Sequence, residues 1–292
     1  MRSTDNVESL KEKVRIATII GTIQSTFTDF HFLSDKWKKN TEEERLLGVS
    51  MTGVMDNLIT SGRSPTHNLS AVLEELRDYA TEVNAEYAEK LGISPSAAIT
   101  CNKPSGTVSQ LTDAASGLHT RHSPYYIRSV RIDKKDPLYA LLSDQGLYME
   151  DEAFRPDSTA VAYFPIKSPE GSITRHEQNA IEALELWLIY QRHWCHHKPS
   201  VTISVKDDEW PTVGGWVYEH FDEVSGVSFL PYDGGTYQQA PYQEVTEQER
   251  HEWVDKHPIP VVDWTQLSKY EEEDTTVSSQ QYACSGGSCE IL

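Results

Sequence analysis

The stretch NLSAVLEELRDYATEVNAEYAEKLG, residues 68–92, constrains the fold more than any other. Leu69, Val72, Leu73, Leu76, Tyr79, Ala80 and Val83 recur at helical spacing, and Gly92 follows the last turn as a C-cap. A second long helix is expected in TRHEQNAIEALELWLIYQRHW, residues 174–194. Between and after these helices stand short apolar or alternating runs: SAAIT (96–100), YYIRSVRI (125–132), TAVAYFPI (159–166), SVTISV (200–205) and GVSFLPY (226–232). They read as strands. Long helices alternating with short buried strands place the chain in the α/β class, while pattern alone leaves the strand order open. No internal repeat is visible.

With 292 residues, 38% hydrophobic content and seven tryptophans, the chain is long enough for a sizeable folded core. Its net charge of −19 argues against binding a nucleic-acid polymer, whose phosphates attract clustered Lys and Arg. A small phosphorylated ligand stays open. The longest apolar run, VRIATIIGTIQSTFTDFHFL (14–33), carries Arg15, Thr18, Thr22, Asp29 and His31, which is wrong for a membrane span, and no signal peptide precedes it. A cytoplasmic location is the expectation. Four cysteines over this length make no disulfide framework, so a close pair reads as redox-active or metal-binding.

The compositional boundary lies near Pro258 and Pro260. It divides a folded body, 1–257, from an acidic tail, 258–292, expected to be flexible because it is too poor in apolar surface to offset its ordering entropy. The tail ends in YACSGGSCEIL. Cys284 and Cys289 offer only two ligands where a tetrahedral metal site needs about four, so a reversible disulfide fits better, with Gly286 and Gly287 letting the sulfurs meet.

ITCNKPSGTVSQL, 99–111, is the most informative internal stretch. Pro104 blocks continuation of a strand ending near Cys101, and Ser105, Gly106 and Thr107 supply a turn whose backbone N–H groups can converge on an anion. Hydroxyls of Ser105, Thr107 and Ser109 add donors. The spacing is not that of a Walker A loop, and an ordinary turn has the same composition. In HWCHHKPS, His193, Cys195, His196 and His197 tempt a metal reading, but adjacent histidines point different ways on a helix, and a polar helix end explains them. Cys101 and Cys195 read as buried small hydrophobes. His119, Arg121 and His122 in GLHTRH could contact a substrate or stand as surface residues. Tyr232, Tyr237 and Tyr242 in LPYDGGTYQQAPY could line a pocket or pack at a core edge.

Taken in order, CNKPSGTVSQL, SGLHTRHSPYYIRSVRI with DPLYALL, AYFPIK, SVTISV, FLPYDGGTYQQAPY and the terminal CSGGSC, preceded by LLGVSMTGVMD, resemble the class II, adenosylcobalamin-dependent ribonucleotide reductases, and among them the monomeric ribonucleoside-triphosphate reductases. The resemblance runs from about Val14 to Leu292. It implies the C-terminal portion of a ten-stranded α/β barrel with a flexible tail, and radical conversion of ribonucleotides to deoxyribonucleotides. It also implies that Ser105, Gly106, Thr107 and Val108 hold the substrate phosphates, and that Cys284 and Cys289 shuttle electrons from thioredoxin or a similar reductant. The family's radical cysteine and barrel cysteine pair lie upstream of the segment matched here. The resemblance therefore implies a split or truncated enzyme, inactive alone, with an N-terminal half as partner; the alternative is a non-catalytic nucleotide-binding or scaffold remnant.

Overall fold

The computed structural model describes residues 1–105, 108–232 and 238–271. In chain order the elements are α1 (Val7–Gln24), α2 (Asp35–Glu44), β1 (Val49–Ser50), α3 (Leu69–Leu91), β2 (Thr100–Cys101), α4 (Val108–Leu111), β3 (Tyr125–Asp133), α5 (Pro137–Asp144), β4 (Met149–Asp151), β5 (Thr159–Lys167), α6 (Ala180–His193), β6 (Val201–Val205), α7 (Trp210–Glu219), β7 (Val227–Pro231), β8 (Tyr242–Glu244) and α8 (Glu247–Lys256). They form two compact units: residues 1–121 with 169–232, and residues 122–168 with those after 232. That division differs from the compositional boundary expected near Pro258.

The first unit holds the two long helices foreseen in the sequence. α3 starts where Asn68 accepts the N–H of Ala71 at 3.0 Å and stops at Gly92, whose φ of +67° is the left-handed cap that glycine adopts at no steric cost. α6 begins later than expected, at Ala180. The preceding Thr174 gives its N–H and hydroxyl to Glu177, at 2.8 and 2.9 Å, so residues 174–177 close a separate turn. Asn179 and Glu182 then form a capping box.

Two short parallel pairs carry this unit's strands, β1 with β2 (Val49 opposite Thr100) and β6 with β7 (Val201 opposite Val227 through Val205 opposite Pro231). Of the expected strand 96–100, only its last residue pairs formally, although Leu47 and Val49 N–H groups reach the carbonyls of Ala98 and Ile99, both at 2.9 Å. α7 is the crossover between β6 and β7; its Pro211, Gly214 and Gly215 hide it from propensity reasoning. Parallel strands need such a crossover. The core is built on Leu73, Leu76, Leu184, Trp187, Tyr190, Trp194 and Ile203, all essentially inaccessible. The polar atoms of its large rings are satisfied: Tyr190 Oη donates to Thr60 O (2.8 Å) and Trp194 Nε1 to Cys101 O (2.8 Å).

The second unit is an antiparallel sheet in the order β4-β5-β3-β8. β3 and β5 pair along their whole length, Tyr125 opposite Lys167 to Asp133 opposite Thr159, so these two expected strands form a sheet of their own. Ile127, Val161 and Tyr163 pack with Trp253 of α8, while Leu142, Leu147 and Ala162 gather Ile132, Met149 and Phe164. Ordered structure continues past Pro258. Asp263 N–H donates to Gln145 Oε1 (2.6 Å), Gln145 Nε2 donates to Asp263 O (3.2 Å), and Tyr270 Oη donates to Asp144 (2.9 Å), around a 3₁₀ turn at Trp264–Lys269. These contacts are polar and leave no apolar periodicity to read. No helix among the described residues is long and apolar enough to cross a membrane.

Candidate functional site

The loop after β2 is held by two other segments, one at Thr52 and one at residues 115–117. Ser105 N–H donates to Ser116 Oγ at 2.9 Å, and that hydroxyl donates back to Ser105 O at 3.1 Å. Thr52, just beyond β1, donates its hydroxyl to Ala115 O (2.9 Å) and accepts the N–H of Gly117 (3.3 Å) while its Oγ1 stands 3.4 Å from Ser105 Oγ. Three hydroxyls thus meet where the parallel pair β1-β2 ends, which is where open α/β sheets collect ligands. Gly117 has φ +53°, and a Cβ there would lie 2.9 Å from Lys103 O, so glycine permits the close approach of the two loops.

An ion pair beneath the loop fixes residues 113–117. Arg121 donates through Nε and Nη2 to the two carboxylate oxygens of Asp56, both at 2.9 Å, with both side chains almost wholly buried. The same carboxylate accepts the N–H of Ala115 at 2.8 Å. Arg121 also reaches Asp113, through Oδ1 at 3.0 Å and through its carbonyl at 2.7 Å. Arg121 is therefore engaged beneath the loop by Asp56 and Asp113.

His119 is likewise a structural pin. Its Nδ1 lies 2.9 Å from Ser116 O, a pure acceptor, and its Nε2 receives the N–H of Thr202 on β6 at 3.0 Å. Only the neutral imidazole with its proton on Nδ1 satisfies both. Burial pushes its pKa below the ordinary value of 6.5. Because the unfolded chain binds this proton first as pH falls, the stability contributed is full above that ordinary value and drains away below it. In urea titrations, stability is expected to decline more steeply below pH ~6.5 in the natural chain than in His119→Gln, whose carboxamide can donate and accept without titrating. Equal slopes would refute this role.

The expected site residues fall as follows. Ser105 is half-buried in the hydroxyl cluster, and Val108, an exposed residue, opens α4. α4 is a single turn of four residues, so it adds no appreciable macrodipole. Gly106, Thr107, Tyr237, Cys284 and Cys289 lie outside the described residues. Cys101 is buried and Cys195 half-buried; burial raises both thiol pKa values, which suits inert core cysteines and not nucleophiles. His193 pairs with Glu74 at 2.8 Å, and His196 Nδ1 faces Thr100 at 3.2 Å, so the histidines of the α6 terminus face different partners. Among the described residues no group of three His, Cys, Asp or Glu side chains is placed to hold a metal ion. His122 stacks on Tyr242 in the second unit, with ring centroids 5.2 Å apart.

Sequence reasoning did not single out Thr52, Asp56, Ser116 or Asn102. Asn102 is fully buried beside the loop, and neither polar atom of its side chain has a partner. Nothing local marks these residues; their signal is only their presence in the segments LLGVSMTGVMD, CNKPSGTVSQL and SGLHTRH.

The fold is that of part of the ribonucleotide reductase barrel. A crystal structure of B12-dependent (class II) ribonucleotide reductase matches with TM-score 0.73 and 22% identity, over 90% of this chain and 40% of that one. Curated relatives agree. The adenosylcobalamin-dependent ribonucleoside-triphosphate reductase of Euglena gracilis is 29% identical over 259 residues, 87% of this chain and 35% of its own length. That of Lactobacillus gasseri is 26% identical over 313 residues, 97% of this chain and 41% of its own. A probable one from Dictyostelium discoideum is 30% identical over 259 residues, 85% of this chain and 32% of its own. No protein-family model matches. The chain is thus related to the class II ribonucleotide reductases, and it spans well under half the length of these relatives.

Proposed function

We propose that this chain is the C-terminal part of an adenosylcobalamin-dependent ribonucleoside-triphosphate reductase, contributing the loop for the substrate phosphates and the thiol pair that delivers electrons. The observation that carries the reading is the convergence of Thr52, Ser105 and Ser116 at the end of β2. Hydroxyl and backbone N–H donors suit an anionic ligand in a chain of net charge −19. Since the Thr52 and Ser116 hydroxyls donate to Ala115 O and Ser105 O, the Ser105 hydroxyl is the donor this cluster turns to the ligand. Ser105, Gly106, Thr107 and Val108 are assigned to the triphosphate. Asp56, Arg121 and His119 hold the neighbouring strands of the loop in place and touch no reacting atom.

Cys284 and Cys289 are assigned to the shuttle. Their thiolates reduce the active-site disulfide formed in each turnover by thiol–disulfide exchange, becoming a disulfide that thioredoxin or a similar dithiol reduces in turn. The radical cysteine and the cysteine pair that reduces the ribose are assigned to an N-terminal portion, the partner this reading requires. Adenosylcobalamin supplies the radical chemistry when bound. Two recesses among the described residues, of about 310 and 190 Å³, are each smaller than a corrinoid, and no residue described is assigned to its seat. The reading includes a cytoplasmic location and neither a nucleic-acid polymer nor a membrane as partner.

Calorimetric titration tests the loop. Ser105→Asp is expected to weaken binding of a ribonucleoside triphosphate at least tenfold, roughly 1.4 kcal/mol, while leaving the corresponding nucleoside unaffected. Identical triphosphate affinity in the variant would refute the assignment.

A further inference from the structure

α1 is built the wrong way round for a surface helix. The face packed toward α3 carries Leu10, Val14, Thr18 and Thr22, all buried. The two threonines satisfy their hydroxyls on the carbonyls of Val14 (2.8 Å) and Thr18 (2.7 Å), and Thr22 also accepts from Asn84 Nδ2 of α3 at 2.9 Å. The opposite face carries Ile16, Ile20 and Ile23 at i, i+4 and i+7, each 45 to 60% exposed. The exposed charges Glu8, Glu12 and Lys13 stand in the first half of the helix, so the bare apolar face belongs to its second half. The apolar surface continues beyond its end through Phe27 and Leu46, 71 and 50% exposed.

Beside that face, Phe27 and Leu46 line a recess of about 310 Å³ together with Gly21, Gln24 and Arg45. Arg45 donates Nη1 to Ser25 O at 2.7 Å, but its Nε is buried without an acceptor. Exposed apolar side chains grouped on one face mark interaction surfaces.

We propose that the Ile16-Ile20-Ile23 face of α1, with the adjoining recess, is the seam covered by the remainder of the reductase, on the same or a separate polypeptide. The assignment rests on the reductase reading above and deepens it. It commits to this occupant because the relatives carry more than half their length outside the matched segment, and that sequence has no counterpart here. The seam is an apolar ridge beside a recess lined in part by Gln24 and Thr41, so the occupant presents an apolar helix or strand face with polar groups at that edge.

Photo-crosslinking in cells of the source organism tests this, with p-benzoylphenylalanine replacing Ile20, Phe221 (exposed, on the same unit) or Glu82 (on α3), and the joined peptides sequenced by mass spectrometry. Ile20 is expected to join reductase sequence from the part absent here, with no such product from Glu82. Where that sequence is a separate polypeptide, a second expected result is that Ile20→Asp with Ile23→Asp lowers its recovery with the chain at least tenfold, with helix content unchanged. Joining of Ile20 to a second copy of this chain, or no product at Ile20, overturns the seam. If reductase sequence joins Phe221 and not Ile20, only the face is wrong; if it joins no position, the reductase reading falls with it.

Discussion

Asp56→Ala is expected to destabilise the first unit by about 3 kcal/mol, because it removes the bidentate partner of a buried guanidinium and leaves that charge to the exposed Asp113. The pair is bidentate, with both N–O distances 2.9 Å and side-chain exposures of 4% for Arg121 and 3% for Asp56. Asp113, the other carboxylate on Arg121, is 64% exposed. Asp113→Ala should therefore cost no more than ~1 kcal/mol, as exposed pairs do. The same Asp56 carboxylate holds the N–H of Ala115, whose carbonyl takes the Thr52 hydroxyl, so the loss also loosens the hydroxyl cluster at Ser105. Urea unfolding of both variants checks the asymmetry. Equal costs at Asp56 and Asp113 would show that burial does not set the value of the pair.

Cys284→Ser is expected to abolish thioredoxin-supported turnover in the assembled reductase while small dithiols still sustain it. A protein reductant needs an intermediate thiol pair to reach an enclosed active-site disulfide, whereas a small dithiol diffuses there directly. Serine keeps the size of the side chain and removes the nucleophile, so loss reports exchange chemistry and not folding. Cys289→Ser should have the same effect, since one thiol forms only a mixed disulfide that nothing in the chain resolves. Undiminished thioredoxin turnover in either variant would remove the shuttle from the proposed function.

Elements whose information is local are legible in the sequence. α3 shows its apolar spacing and its Gly92 stop, and the runs 200–205 and 226–232 become the parallel pair β6-β7, in which Val201, Ile203 and Val205 alternate into the core. α7 was hidden by Pro211, Gly214 and Gly215, whose local preference is outweighed by burial of Val213 and Trp216. The segment after Pro258 was hidden because side-chain amide and hydroxyl contacts, with no apolar period, hold it.

By itself the sequence determined the class of the fold, the two long helices, and the position of a Pro-Ser-Gly-Thr loop at a strand end, since periodicity and turn chemistry act within a few residues. Only the tertiary structure decided that Thr52, Ser105 and Ser116 share one cluster, that Arg121 and His119 serve beneath it instead of in it, and that α1 buries its threonines and bares its isoleucines. Those outcomes depend on which distant segments meet. An amphipathic pattern names a helix's two faces, but the neighbour it packs against selects the one that is buried.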